Sequence, residues 1–152
     1  MTYGFIGLGH MATAIIGGMR RSDAYRAAEI LGAGTDAARA ADAADKWNVR
    51  VATAEAVVAG ADTVILAVKP QVLPVVLPTL AAGVRPGQLI VSIAAGKDTA
   101  YYEGYFPAGT PVVRVMPNIN AMVGYAAVAV AGGKYATPLH TQAVCAVFDT
   151  VG

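Results

Sequence analysis

Short apolar runs alternate along this chain with longer, alanine-rich segments that carry polar residues at helical spacing. Tyr3 to Ile6 reads as a first buried strand and Met11 to about Arg20 as a helix, with a glycine turn between them. Glu29 to Ala33 predicts a second strand, and Asp36 to Trp47 a helix opened by Thr35 as its N-cap. Val49 to Ala52 makes a short third strand, and Thr53 with Glu55 begins a helix that ends near Gly60. Thr63 to Val68 is the clearest strand, because it holds no charge at all.

Pro70, Pro74 and Pro78 then punctuate the chain. Pro74 suits the opening of a helix, where its missing N–H costs nothing, and Pro78 is expected to end or kink that helix. Arg85-Pro86-Gly87 marks a turn and Leu89 to Ala94 another buried strand. A short helix over Thr99 to Phe106 leads to a strand at Val112 to Met116. Val128 to Ala131 adds one more strand, and Pro138 to about Thr150 a final helix capped by Thr137. That helix carries Leu139, Val144, Val147 and Phe148 as an apolar face for a neighbour, with core packing the simpler account. Strands separated by helical segments of about ten residues indicate βαβ units. The expected fold is α/β, a doubly wound, mainly parallel sheet with helices on both faces. Residues 1–152 read as a single domain. The chain stops at Val151-Gly152, where a further strand is expected, so it reads as a fragment.

Composition narrows the function classes. The chain is 56% apolar and only 14% charged, which excludes a disordered segment. Eleven basic against ten acidic residues, with no basic block, give no sign of nucleic acid or an anionic membrane as partner. Cys145 is the only cysteine, so an internal disulfide and a cysteine-based zinc site are excluded, and no metal is expected. It reads as a buried thiol on an apolar helix face. The uncharged stretch from Arg114 to Lys134 holds too many Pro, Asn and Gly residues for a membrane helix. The start of the chain lacks the pattern of a secretory signal. A soluble, cytoplasmic protein is expected.

The chemistry begins at Gly7-Leu8-Gly9-His10-Met11-Ala12, a G-x-G-x-x-A run between the first strand and the first helix. Gly7 permits the tight turn, Gly9 lets a pyrophosphate reach the backbone, and Ala12 lets the helix pack close to the strand. Amides at the helix start, aided by the helix dipole, hold the phosphates. This is the dinucleotide-binding pattern of a Rossmann domain. An NAD-preferring domain usually ends its second strand with an acid. Here the segment runs Ala33-Gly34-Thr35-Asp36, without an acid at the strand tip. Thr35 and Arg39 suit a 2′-phosphate, whereas Asp36 argues for NAD or serves only the first helical turn. NADP is the expected cofactor, with NAD possible.

Three more segments close successive strands: Ala67-Val68-Lys69-Pro70-Gln71, Ser92-Ile93-Ala94-Ala95-Gly96 and Arg114-Val115-Met116-Pro117-Asn118. Together with GFIGLGHMA they closely resemble the pyrroline-5-carboxylate reductase family across essentially the whole chain. The resemblance implies hydride transfer from NAD(P)H to the C=N carbon of 1-pyrroline-5-carboxylate, giving proline, the last step of proline biosynthesis. It also implies that Gly7 to Ala12 hold the pyrophosphate and that Thr35 lies near the adenosine ribose. Ala67, Val68, Lys69 and Pro70, with Ala94, Ala95 and Gly96, would line the nicotinamide side, and Asn118 would approach the substrate. Lys69 and His10 read as loop residues rather than acid–base groups, and His140 as a surface or partly buried helix residue.

Departures from the family pattern are plain. Ala33-Gly34 stands where an Asn-Arg pair is common, Ala54 where a helix-entry Asn is, and Ile119-Asn120 where RVMPN usually continues with Thr-Pro. The family's helical carboxyl-terminal domain, which forms the dimer and supplies most imino-acid contacts, is absent from these residues. Catalytic side chains are therefore expected there, a homo-oligomer is expected of the complete enzyme, and this portion alone is expected to be inactive. Two rival readings are a β-hydroxyacid dehydrogenase, which shares the GFIGLG opening, and a non-catalytic nucleotide-binding or interaction domain.

Overall fold

The computed structural model describes residues 1–117 and 128–151. The apolar runs become strands β1 (Thr2–Ile6), β2 (Glu29–Ala33), β3 (Arg50–Val51), β4 (Thr63–Leu66), β5 (Leu89–Ser92), β6 (Val112–Pro117) and β7 (Val128–Gly132). Between and after them lie helices α1 (His10–Arg21), α2 (Ala37–Trp47), α3 (Ala54–Gly60), α4 (Leu73–Ala81), α5 (Thr99–Glu103) and α6 (Pro138–Phe148). A 3₁₀ turn, Pro70–Val72, leads into α4. The strands form one sheet in the order β3-β2-β1-β4-β5-β6-β7, parallel throughout except for the antiparallel β6–β7 pair. The chain runs outward from β1 through β2 to β3, then returns to β4 on the other side of β1. The direction of winding reverses between β1 and β4, where open α/β sheets bind ligands at their carboxyl ends.

Alternation along each strand feeds two cores. Phe5, Ile65, Val91 and Val113 face α1, α2 and α6, where Ile15, Ile16, Met19, Ala43 and Phe148 meet them. Val64, Leu66, Ile90 and Val112 face the opposite layer, packing on Val57, Leu73, Leu77 and Tyr102. Covering both faces explains why β4 and β5 are buried at every position. Each fully buried large aliphatic side chain contributes roughly 1.5–3 kcal/mol.

Several expectations from sequence need correction. The cap of α2 is Asp36, not Thr35: Asp36 is extended, and its Oδ1 accepts from the Ala38 and Arg39 amides at 3.0 and 3.1 Å. Pro78 does not end α4, which continues to Ala81 because Leu77 and Leu80 are both anchored in the core. Cys145 is exposed. The buried stripe of α6 is Val144, Val147 and Phe148, and Cys145 lies about one-quarter turn off it. Those three residues pack into the core, so only Leu139 of the apolar set stands in solvent. His140 closes the start of α6 by accepting the Thr137 amide at Nδ1, 2.9 Å away. No described helix is long and apolar enough to cross a membrane.

One long-range clasp fixes the far end of α1. Arg20 donates from Nε to the Trp47 carbonyl at 2.8 Å, from Nη1 to those of Ala28 (2.6 Å) and Arg26 (2.9 Å), and from Nη2 to that of Asn48 (3.1 Å). The guanidinium thereby ties α1 to the chain entering β2 and to the end of α2.

Candidate functional site

The turn after β1 contains two glycines with different causes. Gly7 has φ +101°, a conformation that side chains resist, and its amide donates to the Ala33 carbonyl at 2.7 Å. A Cβ there would stand 2.6 Å from the Ala67 carbonyl oxygen. Gly7 is pinned between the ends of β2 and β4, at the point where the winding reverses, and the fold itself demands glycine. Leu8 then drops into the core. It fits because position 32 on β2 is also glycine, where a Cβ would lie 2.9 Å from both Leu8 Cδ2 and Val49 Cγ1.

Gly9 is the exception. Its backbone is extended, φ −77° and ψ −168°, which any residue adopts. A Cβ at this position would meet nothing within 4 Å. Neither strain nor packing accounts for a glycine here, whereas a ligand lying against the backbone would. Ala12, almost wholly buried, seats α1 close to the sheet.

The start of α1 is chemically open. No side chain caps it and its first turn holds no acid. Elsewhere Asp36, Thr53 and Asp98 accept the first-turn amides of α2, α3 and α5. Thr13 does not help, because its hydroxyl donates to the carbonyls of Gly9 and His10, both at 3.1 Å. Uncapped amides and the positive end of the helix dipole favour an anion at this place. The buried Leu8 and Ala12 offer a ligand only backbone, while His10 is exposed.

The other predicted segments gather at the same end of the sheet. Thr35 and Asp36 are exposed just past β2. Arg39, one turn into α2, reaches the Asp36 carboxylate at 3.6 Å and His10 Nε2 at 3.0 Å. Past β4, the Ala67 amide donates to the Ile6 carbonyl at 2.8 Å, Val68 is half-buried, Lys69 is exposed, and Pro70 opens the 3₁₀ turn. Past β5, Ser92 Oγ donates to the Tyr102 hydroxyl at 2.6 Å and accepts the Ala94 amide at 3.2 Å. Burial holds the Tyr102 hydroxyl above its ordinary pKa, so it stays protonated beneath this loop. Ala95 and Gly96 are exposed, and Gly96 turns the chain with φ +82°. The segments 7–12, 35–36, 67–70 and 94–96 thus line one edge, past β1, β2, β4 and β5. Asn118 lies outside the described residues.

No cluster of three or more metal-ligating side chains occurs among the described residues. An apolar cavity of about 160 Å³ does exist, but Tyr3, Thr63, Leu89 and Phe148 place it at the opposite end of the sheet. Sequence reasoning missed the His10–Arg39 contact and the Arg20 clasp. His10 and Arg39, and Arg20 and its partners at the end of α2, stand more than twenty positions apart, and no local signal marks either.

Comparison with known proteins agrees with this geometry. Residues 2–96 match the family model described as NADP oxidoreductase coenzyme F420-dependent. The chain is 40% identical to the pyrroline-5-carboxylate reductase of Methanosarcina acetivorans over 150 residues, 98% of this chain and 56% of that protein. The 1-pyrroline-5-carboxylate reductase of Streptococcus pyogenes superposes with a TM-score of 0.86 at 29% identity, covering all of this chain and 56% of the other. A Plasmodium falciparum pyrroline carboxylate reductase solved with NADP bound shares the fold, with a TM-score of 0.84 at 21% identity over all of this chain and 55% of that one. The chain therefore spans about half the length of the relatives it matches.

Proposed function

As the chain belongs to the NADP oxidoreductase coenzyme F420-dependent family, we propose that residues 1–152 form the dinucleotide-binding domain of a pyrroline-5-carboxylate reductase. In this reading NADP(H) is the cofactor, with NAD(H) as the weaker ligand, and 1-pyrroline-5-carboxylate is reduced to proline. The observation that carries it is Gly9, a glycine that neither backbone nor packing requires, beside a helix start left without a cap. Met11 and Ala12 contribute first-turn amides toward the pyrophosphate. The loops 67–70 and 94–96 shape the nicotinamide side, and Tyr102 braces the second of them through Ser92. The cofactor would supply a hydride to the carbon of the imine. This domain's part is placement of the hydride-bearing ring, not acid–base chemistry.

Titration of the chain with NADPH and NADH tests the reading. Saturation by NADPH at submillimolar concentration is expected. Gly9→Ala should weaken it about tenfold or more through steric conflict with the ligand, while the melting temperature stays put because the new methyl meets no protein atom. Failure of both nucleotides to saturate would overturn the assignment. The substrate class is tested by NADPH oxidation in the presence of pyrroline-5-carboxylate using the chain joined to the remaining length that its relatives possess. Turnover of a β-hydroxy acid instead would redirect the reading to that dehydrogenase class.

A further inference from the structure

His10 and Arg39 come from different walls of the crevice, the first from the start of α1 and the second from the first turn of α2. They meet with Arg39 Nη2 3.0 Å from His10 Nε2. A guanidinium has only N–H donors, so His10 must accept here, which assigns Nε2 as unprotonated and leaves the ring proton on Nδ1. Arg39 Nε also lies 3.6 Å from Asp36 Oδ2. The guanidinium is thus engaged by two side chains, His10 and Asp36, close in sequence to the exposed Thr35 at the end of β2. Asp36 is occupied in turn: its Oδ1 caps α2 through two amides. The carboxylate that would otherwise select ribose hydroxyls is tied to its own helix and to Arg39.

We propose that His10 is a positioning residue for nucleotide selectivity. By holding Arg39 over the ribose end of the glycine turn, it makes a phosphomonoester dianion on the ribose the preferred ligand over a bare diol. The inference rests on the dinucleotide-binding reading above. Its physical basis is preorganisation. A free arginine side chain carries much rotamer entropy, whereas one already held presents its remaining donors to phosphate in a fixed fork. His10 needs no contact with the nucleotide for this role.

The test measures NADPH and NADH affinity side by side in the unaltered chain, Arg39→Ala, His10→Ala and His10→Gln. Arg39→Ala should lose about tenfold or more in NADPH affinity, the weight of a charge-assisted hydrogen bond, with NADH changed by less than twofold. His10→Ala should lose a smaller part, about threefold to fivefold, again for NADPH alone. His10→Gln, which still offers an acceptor to the guanidinium, should recover part of that loss. Melting temperatures should stay unchanged, because both side chains are exposed. Equal weakening of both nucleotides by His10→Ala, or no weakening of either, overturns the inference while leaving dinucleotide binding intact. Tighter NADH than NADPH binding in the unaltered chain would overturn it in favour of Asp36 as the selector. Saturation by neither nucleotide would bring down the functional reading first and the inference with it.

Discussion

α1 and α2 follow neighbouring parallel strands and have almost the same length, twelve and eleven residues, yet they begin in opposite ways. α2 is closed by Asp36, whose carboxylate takes two amides of the first turn. α1 starts from Gly9 with no side chain to receive its amides. The contrast separates two uses of one local structure. A helix that needs only to be stable satisfies its orphan donors from its own sequence. A helix that leaves them free, behind a glycine the fold does not require, keeps electrostatic capacity for something that arrives from outside.

Giving α1 the cap that α2 has should break the difference most completely. Gly9→Asp places a carboxylate against the first-turn amides, and NADPH affinity should fall about a hundredfold or more. The same change should leave the melting temperature equal or slightly raised, since a capping side chain adds a few tenths of a kcal/mol over glycine. Undiminished NADPH binding by this variant would show that the amides are not the anion seat.

The converse change is milder. Asp36→Ala removes the cap of α2 and should cost about 1 kcal/mol, read as a lower urea midpoint at constant m-value. Thr35→Ala should cost little by comparison. Reversal of that order would return the cap to Thr35.

The smallest effect concerns the loop past β5, which is braced from below rather than left open. Burial is the first cause that raises Tyr3, Tyr25 and Tyr102 above the ordinary tyrosine value of 10.0. A raised acid keeps its proton in the fold after the unfolded chain has released it. Stability is therefore fully present below about pH 10 and declines as pH rises beyond it. Urea melts taken from neutral to alkaline pH should show this decline, and Tyr102→Phe should flatten part of it. A stability that is level through this range would contradict the burial argument.

Much of the architecture was legible because its signals are local. The charge-free runs at β4 and β5 announce strands covered on both faces, and the G-x-G-x-x-A spacing places the first turn and helix. The misjudged details depend on competition that a linear pattern does not resolve. Thr35 and Asp36 are both good capping residues, and only the backbone angles at 36 decide between them. Pro78 obeys its local rule in isolation, but the buried Leu77 and Leu80 outweigh the lost hydrogen bond. Cys145 looked apolar by its neighbours, yet a single-residue step along α6 carries it off the buried stripe. The site was legible as a set of segments at strand ends. Its cross-links were not, since the distant partners of Arg20 and Arg39 are brought near only by the finished sheet.

Beneath the glycine turn lies Leu8, seated in the gap that the missing side chain of Gly32 leaves on the adjoining strand. The height of the turn above the sheet is consequently governed by a residue that faces away from any nucleotide. Even one added methyl at position 32 would lift this floor and tilt every amide resting on it. Under the proposed dinucleotide-binding reading, the resulting defect would be scored as poor affinity although no ligand-facing atom had been altered, and recognition at this edge would depend on a hollow preserved one layer deeper.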